Sequence, residues 1–238
     1  MPEASASPVV VLSAGAVEYV IRDLARRFTA DTGIPLDFTF RTIAGVKALL
    51  TEGRAADLVV GTSPSIAEME AAGTLIAGSR VDIGSTETGI CVRQGAAVPD
   101  ISTKERLREL LLAARSVAYS NPQVGGSSGI YLVKLMSELG ILADVQAKSV
   151  LCKNGEDIVK AVASGAAEVG STFVSEFPLA GGITSAGAIP AAFGNATSYA
   201  AGLRAGCRNQ DSARRFLDML KSSENRSVWQ AGGFKPAT

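Results

Sequence analysis

The chain has 238 residues, 47% hydrophobic and 19% charged, and its 23 basic residues balance 23 acidic ones. That is ordinary for a globular protein of one or two domains, and it leaves no basic excess for general nucleic-acid or membrane-surface binding. Histidine is absent, which removes Ser-His-Asp and Cys-His catalysis and the commonest metal ligand.

The three cysteines, Cys91, Cys152 and Cys207, are far apart and odd in number. They show no zinc spacing and no disulfide framework, and they read as small buried hydrophobes. No stretch reaches the 18–20 apolar residues, roughly, of a membrane span. The opening Met1–Ser7 lacks the charged and apolar regions of a secretory leader. The compartment is therefore expected to be periplasmic if a leader has been removed, and cytoplasmic otherwise.

In chain order, Val9-Val10-Val11-Leu12, entered from Pro8, reads as a strand buried on both faces. Ser13-Ala14-Gly15 follows as a loop. Val17, Val20, Ile21, Leu24, Ala25 and Phe28 then recur at helical spacing, and Thr32-Gly33 ends that helix. Ile34 to Phe40 alternates like a strand, and Thr42-Ile43-Ala44-Gly45 opens a helix through Leu50. Asp57 to Gly61 is a strand, and Ser63-Pro64-Ser65 caps a helix through Ala71.

A second unit follows. Ser79 to Arg93 is extended, Ser102 caps a helix containing Leu107, Leu110 and Leu111, and Ser116 to Tyr119 is a strand. The loop Ser120 to Gly129 leads into a helix through Leu139. Ser149 to Cys152 is a strand, Asn154-Gly155-Glu156-Asp157 opens a helix through Ala163, and Glu168 to Val174 is a strand. Thr197 to Leu203 is a strand, Ser212 to Leu220 a helix, and Val228-Trp229 sits on a last short helix. Alternating β and α elements predict an α/β fold of two lobes, each a mainly parallel sheet flanked by helices. Residues 1–85 plus 193–238 are read as lobe 1, and 86–192 as the inserted lobe 2.

Four loops share one character: Ser13-Ala14-Gly15, Arg41 to Gly45, Ser127-Ser128-Gly129 and Asn154-Gly155-Glu156. Each joins a strand to a helix, which in a parallel sheet places it at the carboxyl edge where ligands bind. Helix N-termini there offer unpaired N–H groups and partial positive charge to an anion. The plainer alternative is that these residues are ordinary caps and turns. Arg41 could grip a carboxylate or phosphate bidentately, or be a solvated surface arginine. Tyr131 could direct its hydroxyl to a ligand or pack. Ser171 and Thr172 end a strand on the same edge, and Glu176 reads as a helix-start or surface carboxylate. Gly125 to Gly129 matches neither a phosphate loop nor a dinucleotide fingerprint, so no cofactor and no metal are expected.

The order of elements resembles the molybdate-binding branch of the type II periplasmic solute-binding proteins. The likeness rests on Val11 to Val17, Asp31-Thr32-Gly33-Ile34, Ala56-Asp57-Leu58-Val59, Val81 to Arg93, Pro99 to Thr103, Ala113 to Ser120, Ser128 to Leu132 and Gly232-Gly233-Phe234. It implies a periplasmic-binding-protein type II fold holding an oxyanion in the cleft between its lobes, with a membrane permease of the ABC type as partner. Carried over residue by residue, it points to Ala16 where the relatives have serine, to Thr42 and Ser128, to Asp157 and Ile158, and to Phe173 where they have tyrosine. Two donors are thus lost and Arg41 is added. The ligand-binding set is therefore Ser13, Ala14, Gly15, Ala16, Arg41, Thr42, Ile43, Ser127, Ser128, Gly129, Tyr131, Asp157, Ser171, Thr172 and Phe173.

The expected function is capture of a small anion, either an organic di- or tricarboxylate or a tetrahedral oxyanion, by a monomer. The alternative is an isomerase on the same scaffold, shifting a proton on a carboxylate such as aconitate; aconitate isomerase is similar in kind. Its acid/base candidates without histidine are Tyr131, Glu18, Glu176 and Lys47.

Overall fold

A computed structural model describes residues 7–193 and 196–237. The chain separates into two compact units, one taking the described residues through Ser85 and again from Ser198, the other running from Thr86 to Thr197. The first opens with β1 (Val9–Ala14), α1 (Glu18–Thr32), β2 (Leu36–Arg41), α2 (Ile43–Thr51), β3 (Leu58–Thr62) and α3 (Ser63–Ala71). β1 pairs in parallel with both β2 and β3. Leu12 and Val59 face α2 and α3, packing with Val46, Leu50, Ile66 and Met69. Elsewhere in the unit, α1's Phe28 meets Phe216 edge-on at 5.2 Å.

β4 (Val81–Arg93) carries the chain into the second unit. There follow α4 (Lys104–Ala113), β5 (Val117–Ser120), α5 (Ser127–Glu138), α6 (Leu142–Gln146), β6 (Ser149–Cys152), α7 (Gly155–Ser164), β7 (Val169–Phe173) and β8 (Ile183–Ala188). β5 pairs in parallel with β6 and β7, while β4 is antiparallel to β7 and β8. Strand alternation divides the core. Val117, Tyr119, Ile90 and Val92 pack with α4, α5 and α6 residues on one face. Ala118 and Cys91 pack with Ile158, Val159 and Val162 of α7 on the other.

β9 (Ala196–Leu203) returns to the first unit, where it pairs antiparallel with β3. α8 (Gln210–Lys221), α9 (Arg226–Ala231) and β10 (Lys235–Pro236) complete it, with β10 against Gly84 and Ser85 of β4. Trp229 is buried, donates from Nε1 to the Leu220 carbonyl at 3.0 Å, and packs edge-on against Phe234.

Several local expectations need correction. Ser13 and Ala14 are not loop residues; they are the last rungs of β1, opposite Phe40 and Arg41, and a 3-10 turn over Gly15–Val17 leads into α1. Ser127 to Gly129 likewise form the first turn of α5. The cap of α4 is Thr103, whose hydroxyl accepts from Arg106 N at 3.2 Å, rather than Ser102. α3 begins at Ser63, so Thr62 holds its cap position without a side-chain bond. Cys91 and Cys152 are buried, and burial pushes the Cys91 thiol up to about 12, but Cys207 is only half-buried. α6, β8 and β10 were not anticipated. α6 is five residues long and buries only Val145; β8 is built from small, half-exposed residues; β10 spans two residues, one of them proline.

One buried carboxylate ties the first unit together. Asp57, just before β3, accepts from Val10 N at 2.9 Å, Arg208 N at 3.0 Å, Asn209 N at 3.1 Å and the Asn209 amide at 3.3 Å. It thereby joins β1 to the residues that open α8 through hydrogen bonds to a charged, buried acceptor, each worth about 1.5–3 kcal/mol. Asp57→Ala is expected to lower unfolding free energy by about 3 kcal/mol in urea titration, whereas Asp37→Ala, on an exposed β2 position, is expected to be near neutral.

Candidate functional site

In the first unit the carboxyl ends of β1, β2 and β3 gather one set of predicted residues. Ala14 is the Cα partner of Arg41, so Ser13 to Ala16 stand beside Arg41 and Thr42. Thr42 caps α2, its hydroxyl accepting from Gly45 N at 3.2 Å. Ile43 reaches over the end of β3, where its side chain fills the space in front of Gly61. Ser13 is fully buried, and its hydroxyl donates to the Ala14 carbonyl at 3.0 Å. Arg41 is exposed and bonds its own neighbour, the Phe40 carbonyl, at 2.7 Å. Among the described residues no carboxylate pairs with its guanidinium. The first turn of α2 carries no acidic residue, so its partial positive charge is uncompensated.

In the second unit the site centres on the step from β5 to α5. The Ser120 hydroxyl, buried at the end of β5, accepts from Gly129 N at 2.9 Å and lies 3.2 Å from the Ser128 hydroxyl. A side chain at Gly129 would fall on the Ser120 carbonyl oxygen. The close approach of α5 to β5 therefore demands glycine there. α5 has neither a side-chain cap nor an acidic residue in its first turn, so its leading N–H groups have no partner within the helix. Ser171, Thr172 and Phe173 end β7 beside this step, with Ser171 the Cα partner of Tyr119. The Ser171 hydroxyl is wholly buried and has no hydrogen-bond partner among the described residues.

Asp157 lies in the first turn of α7, its N–H donating to the Asn154 side chain at 2.8 Å. Thus the second unit brings together Ser127, Ser128, Gly129, Asp157, Ser171, Thr172 and Phe173 at the carboxyl ends of its parallel strands.

The acid/base candidates separate. Tyr131 packs against the α4–α6 core, and its hydroxyl, buried with no hydrogen-bond partner among the described residues, is pushed up to about 12 by burial and by Glu138. Glu18 pairs with Arg22 at 2.7 Å, and Lys47 with Glu68 at 2.5 Å. Glu176 is a helix-start residue, in the first turn of a 3-10 helix, and not a surface group. It is buried within a 3-10 turn after β7 and accepts from the Thr172 hydroxyl. Ser120 and the burial of Glu176 are not evident from local sequence; the signal for the first is the run of small residues through Gly129, in which Gly126 and Gly129 leave room for Ser120.

Parallel strands thus feed helix N-termini in each unit, α2 capped by Thr42 and α7 by Asn154, with hydroxyls and small residues at the edge. The chain belongs to the bacterial extracellular solute-binding proteins, whose family model matches residues 9–235. Its fold is that of the type II members: the periplasmic molybdate-binding protein of Azotobacter vinelandii superposes with a TM-score of 0.81 at 19% identity, covering 97% of this chain and 100% of that one. A sulfate-binding protein of Mycobacterium tuberculosis gives 0.74 at 15% identity, covering 97% and 87%. Aconitate isomerase from a Pseudomonas species is 30% identical over 244 residues, 99% of this chain and 91% of that protein.

Gly129→Ala is expected to cost about 3 kcal/mol of stability, because the obstructing atom is backbone and cannot rotate away. Denaturant melts of the variant against Gly181→Ala, a control at a loop glycine with open space around it and no positive φ, check the assignment to close packing rather than to lost flexibility.

Proposed function

We propose that this protein captures a small organic anion, a di- or tricarboxylate in preference to a tetrahedral oxyanion. Ser13 to Ala16, Arg41, Thr42 and Ile43 are the candidate ligand-binding residues of the first unit, and Ser127 to Gly129, Tyr131, Asp157 and Ser171 to Phe173 those of the second. The observation that carries the reading is Arg41, a guanidinium without a carboxylate partner placed beside the uncapped turn after β1 and the start of α2. A planar fork suits a carboxylate bidentately. The hydroxyls that would surround a tetrahedral dianion are reduced at Ala16 and Phe173, and each missing donor costs on the order of 1–3 kcal/mol. Membership of the solute-binding family supports delivery to a membrane permease, and a periplasmic location would follow from that role.

The resemblance to aconitate isomerase favours a second reading, in which the bound tricarboxylate undergoes a proton shift that moves its double bond. Of the acid/base candidates, Glu176 alone combines burial with a place at the carboxyl end of the second unit's strands. Incubation with cis- or trans-aconitate, followed by absorbance and by chromatographic separation of the isomers, decides this. Interconversion establishes an enzyme; stoichiometric binding without interconversion establishes a binding protein.

Calorimetry with citrate, tricarballylate, cis-aconitate, succinate, molybdate and sulfate tests the ligand class. Carboxylates are expected to bind, and Arg41→Ala to weaken them about ten- to a hundredfold, the worth of a charge-assisted pair. Tight molybdate binding with no carboxylate response contradicts the proposal.

A further inference from the structure

The antiparallel pairing of β3 with β9 sets Leu58 opposite Leu203. The loop entering β3 and the loop leaving β9 therefore meet at the amino edge of the first unit's parallel strands, the edge opposite to its candidate ligand residues. Arg204 N donates to the Asp57 carbonyl at 2.9 Å and fastens the two loops together. There the structure holds a pocket of about 440 Å³, lined by Arg54 from the first loop and by Arg204 and Arg208 from the second. Sites for small molecules span roughly 300–1,000 Å³, and this pocket falls within that range.

The charge of the wall is one-sided. Among the described residues that line it, the one acid is Asp57, which is buried and already accepts four hydrogen bonds, two of them from the backbone N–H groups of Arg208 and Asn209. Among the described residues no carboxylate pairs with Arg54, Arg204 or Arg208. Arg54 and Arg208 are exposed. Arg204 is half-buried, and its Nη1 is held by the Thr74 carbonyl at 2.7 Å and the Ala205 carbonyl at 3.3 Å. Its guanidinium is thus set in place before any ligand arrives, which lowers the ordering cost of binding.

A guanidinium presents its donors as a planar fork that matches the oxygens of a carboxylate or a phosphate. A carboxylate has two oxygens and fills one fork. A phosphate monoester has three terminal oxygens and a charge of about −1.5 to −2 at neutral pH, so more than one guanidinium can share it. Val10, Ala55, Ala56 and Ala205 give the same pocket an apolar part, against which a carbon body can rest. We propose that this pocket is a second anion site, separate from the one at the carboxyl edge. It takes a small organic phosphate, whose phosphate group Arg54 and Arg208 close upon beside the fixed Arg204. The proposal stands independently of the ligand read for the other edge.

Equilibrium dialysis with radiolabelled pyrophosphate tests it at fixed ionic strength, run on the Arg41→Ala protein so that the other edge is set aside. One saturable equivalent is expected, displaced by glycerol 3-phosphate and not by glycerol or succinate. Arg54→Gln and Arg208→Gln are each expected to weaken it about tenfold, and together about a hundredfold; the second leaves intact the backbone N–H that Asp57 accepts. Cys207 lines the same pocket and is half-buried, whereas Cys91 and Cys152 are buried. Near saturation, pyrophosphate is expected to slow alkylation of Cys207 by N-ethylmaleimide about tenfold, read by peptide mass spectrometry. Circular dichroism and thermal melts confirm that each variant is folded. Absence of saturable binding, or binding that the double variant retains at full strength, overturns the proposal, and displacement by succinate as readily as by glycerol 3-phosphate overturns its assignment to phosphate.

Discussion

A parallel strand followed by a helix leaves the helix N-terminus at the strand's carboxyl end, and this connectivity governs both units of the molecule. Each unit repeats it, with β1, β2 and β3 feeding α1, α2 and α3, and β5, β6 and β7 feeding α5, α7 and a 3-10 turn. Because the first N–H groups of every helix have no partner inside the helix, one edge of each sheet collects donors by construction. What the sequence then varies is how those donors are satisfied. Thr42, Asn154 and Thr103 cap their own helices with side-chain oxygens, whereas α5 and the turn after β1 have no such cap. The uncapped ends are where an external acceptor gains most.

Packing at the edge is as specific as its electrostatics. Ser120 is bound to the first turn of α5 by hydrogen bonds to Gly129 N and Ser128, and glycine at 129 removes the side chain that would keep helix and strand apart. Gly155 plays the corresponding part at α7, but the space it leaves is taken by the Glu176 carboxyl group. At α5 the first turn is thus met by a strand-end hydroxyl, and at α7 by a carboxyl group.

Much of this was legible in the sequence. Continuous apolar runs such as Val9 to Leu12 marked strands covered on both faces, and Thr42 and Asn154 marked helix starts through residue type and position. The edge residues of both units were found because strand-to-helix loops are punctuated by serine, threonine and glycine. The boundaries at Ser13–Ala14 and Ser127–Gly129 were not legible, since small residues are compatible with a loop, a strand end or a first helical turn, and the partner strand or helix decides. Glu176 is a helix-start residue as expected, but its burial was not legible, because nothing local distinguishes a buried glutamate from a surface one; its environment is assembled from Thr172 four residues away and Gly155 twenty-one residues away. β8 and β10 escaped for a similar reason, as their pairing with β4 comes from tertiary context rather than from β-branched or alternating composition.

The account reduces to a claim about the chemical nature of the solute. Mass spectrometry of the small molecules released on denaturing freshly purified protein examines that claim without presupposing a ligand. Release of a di- or tricarboxylate in near-stoichiometric amount is the predicted result; stoichiometric release of a neutral sugar, a cation or molybdate would contradict it.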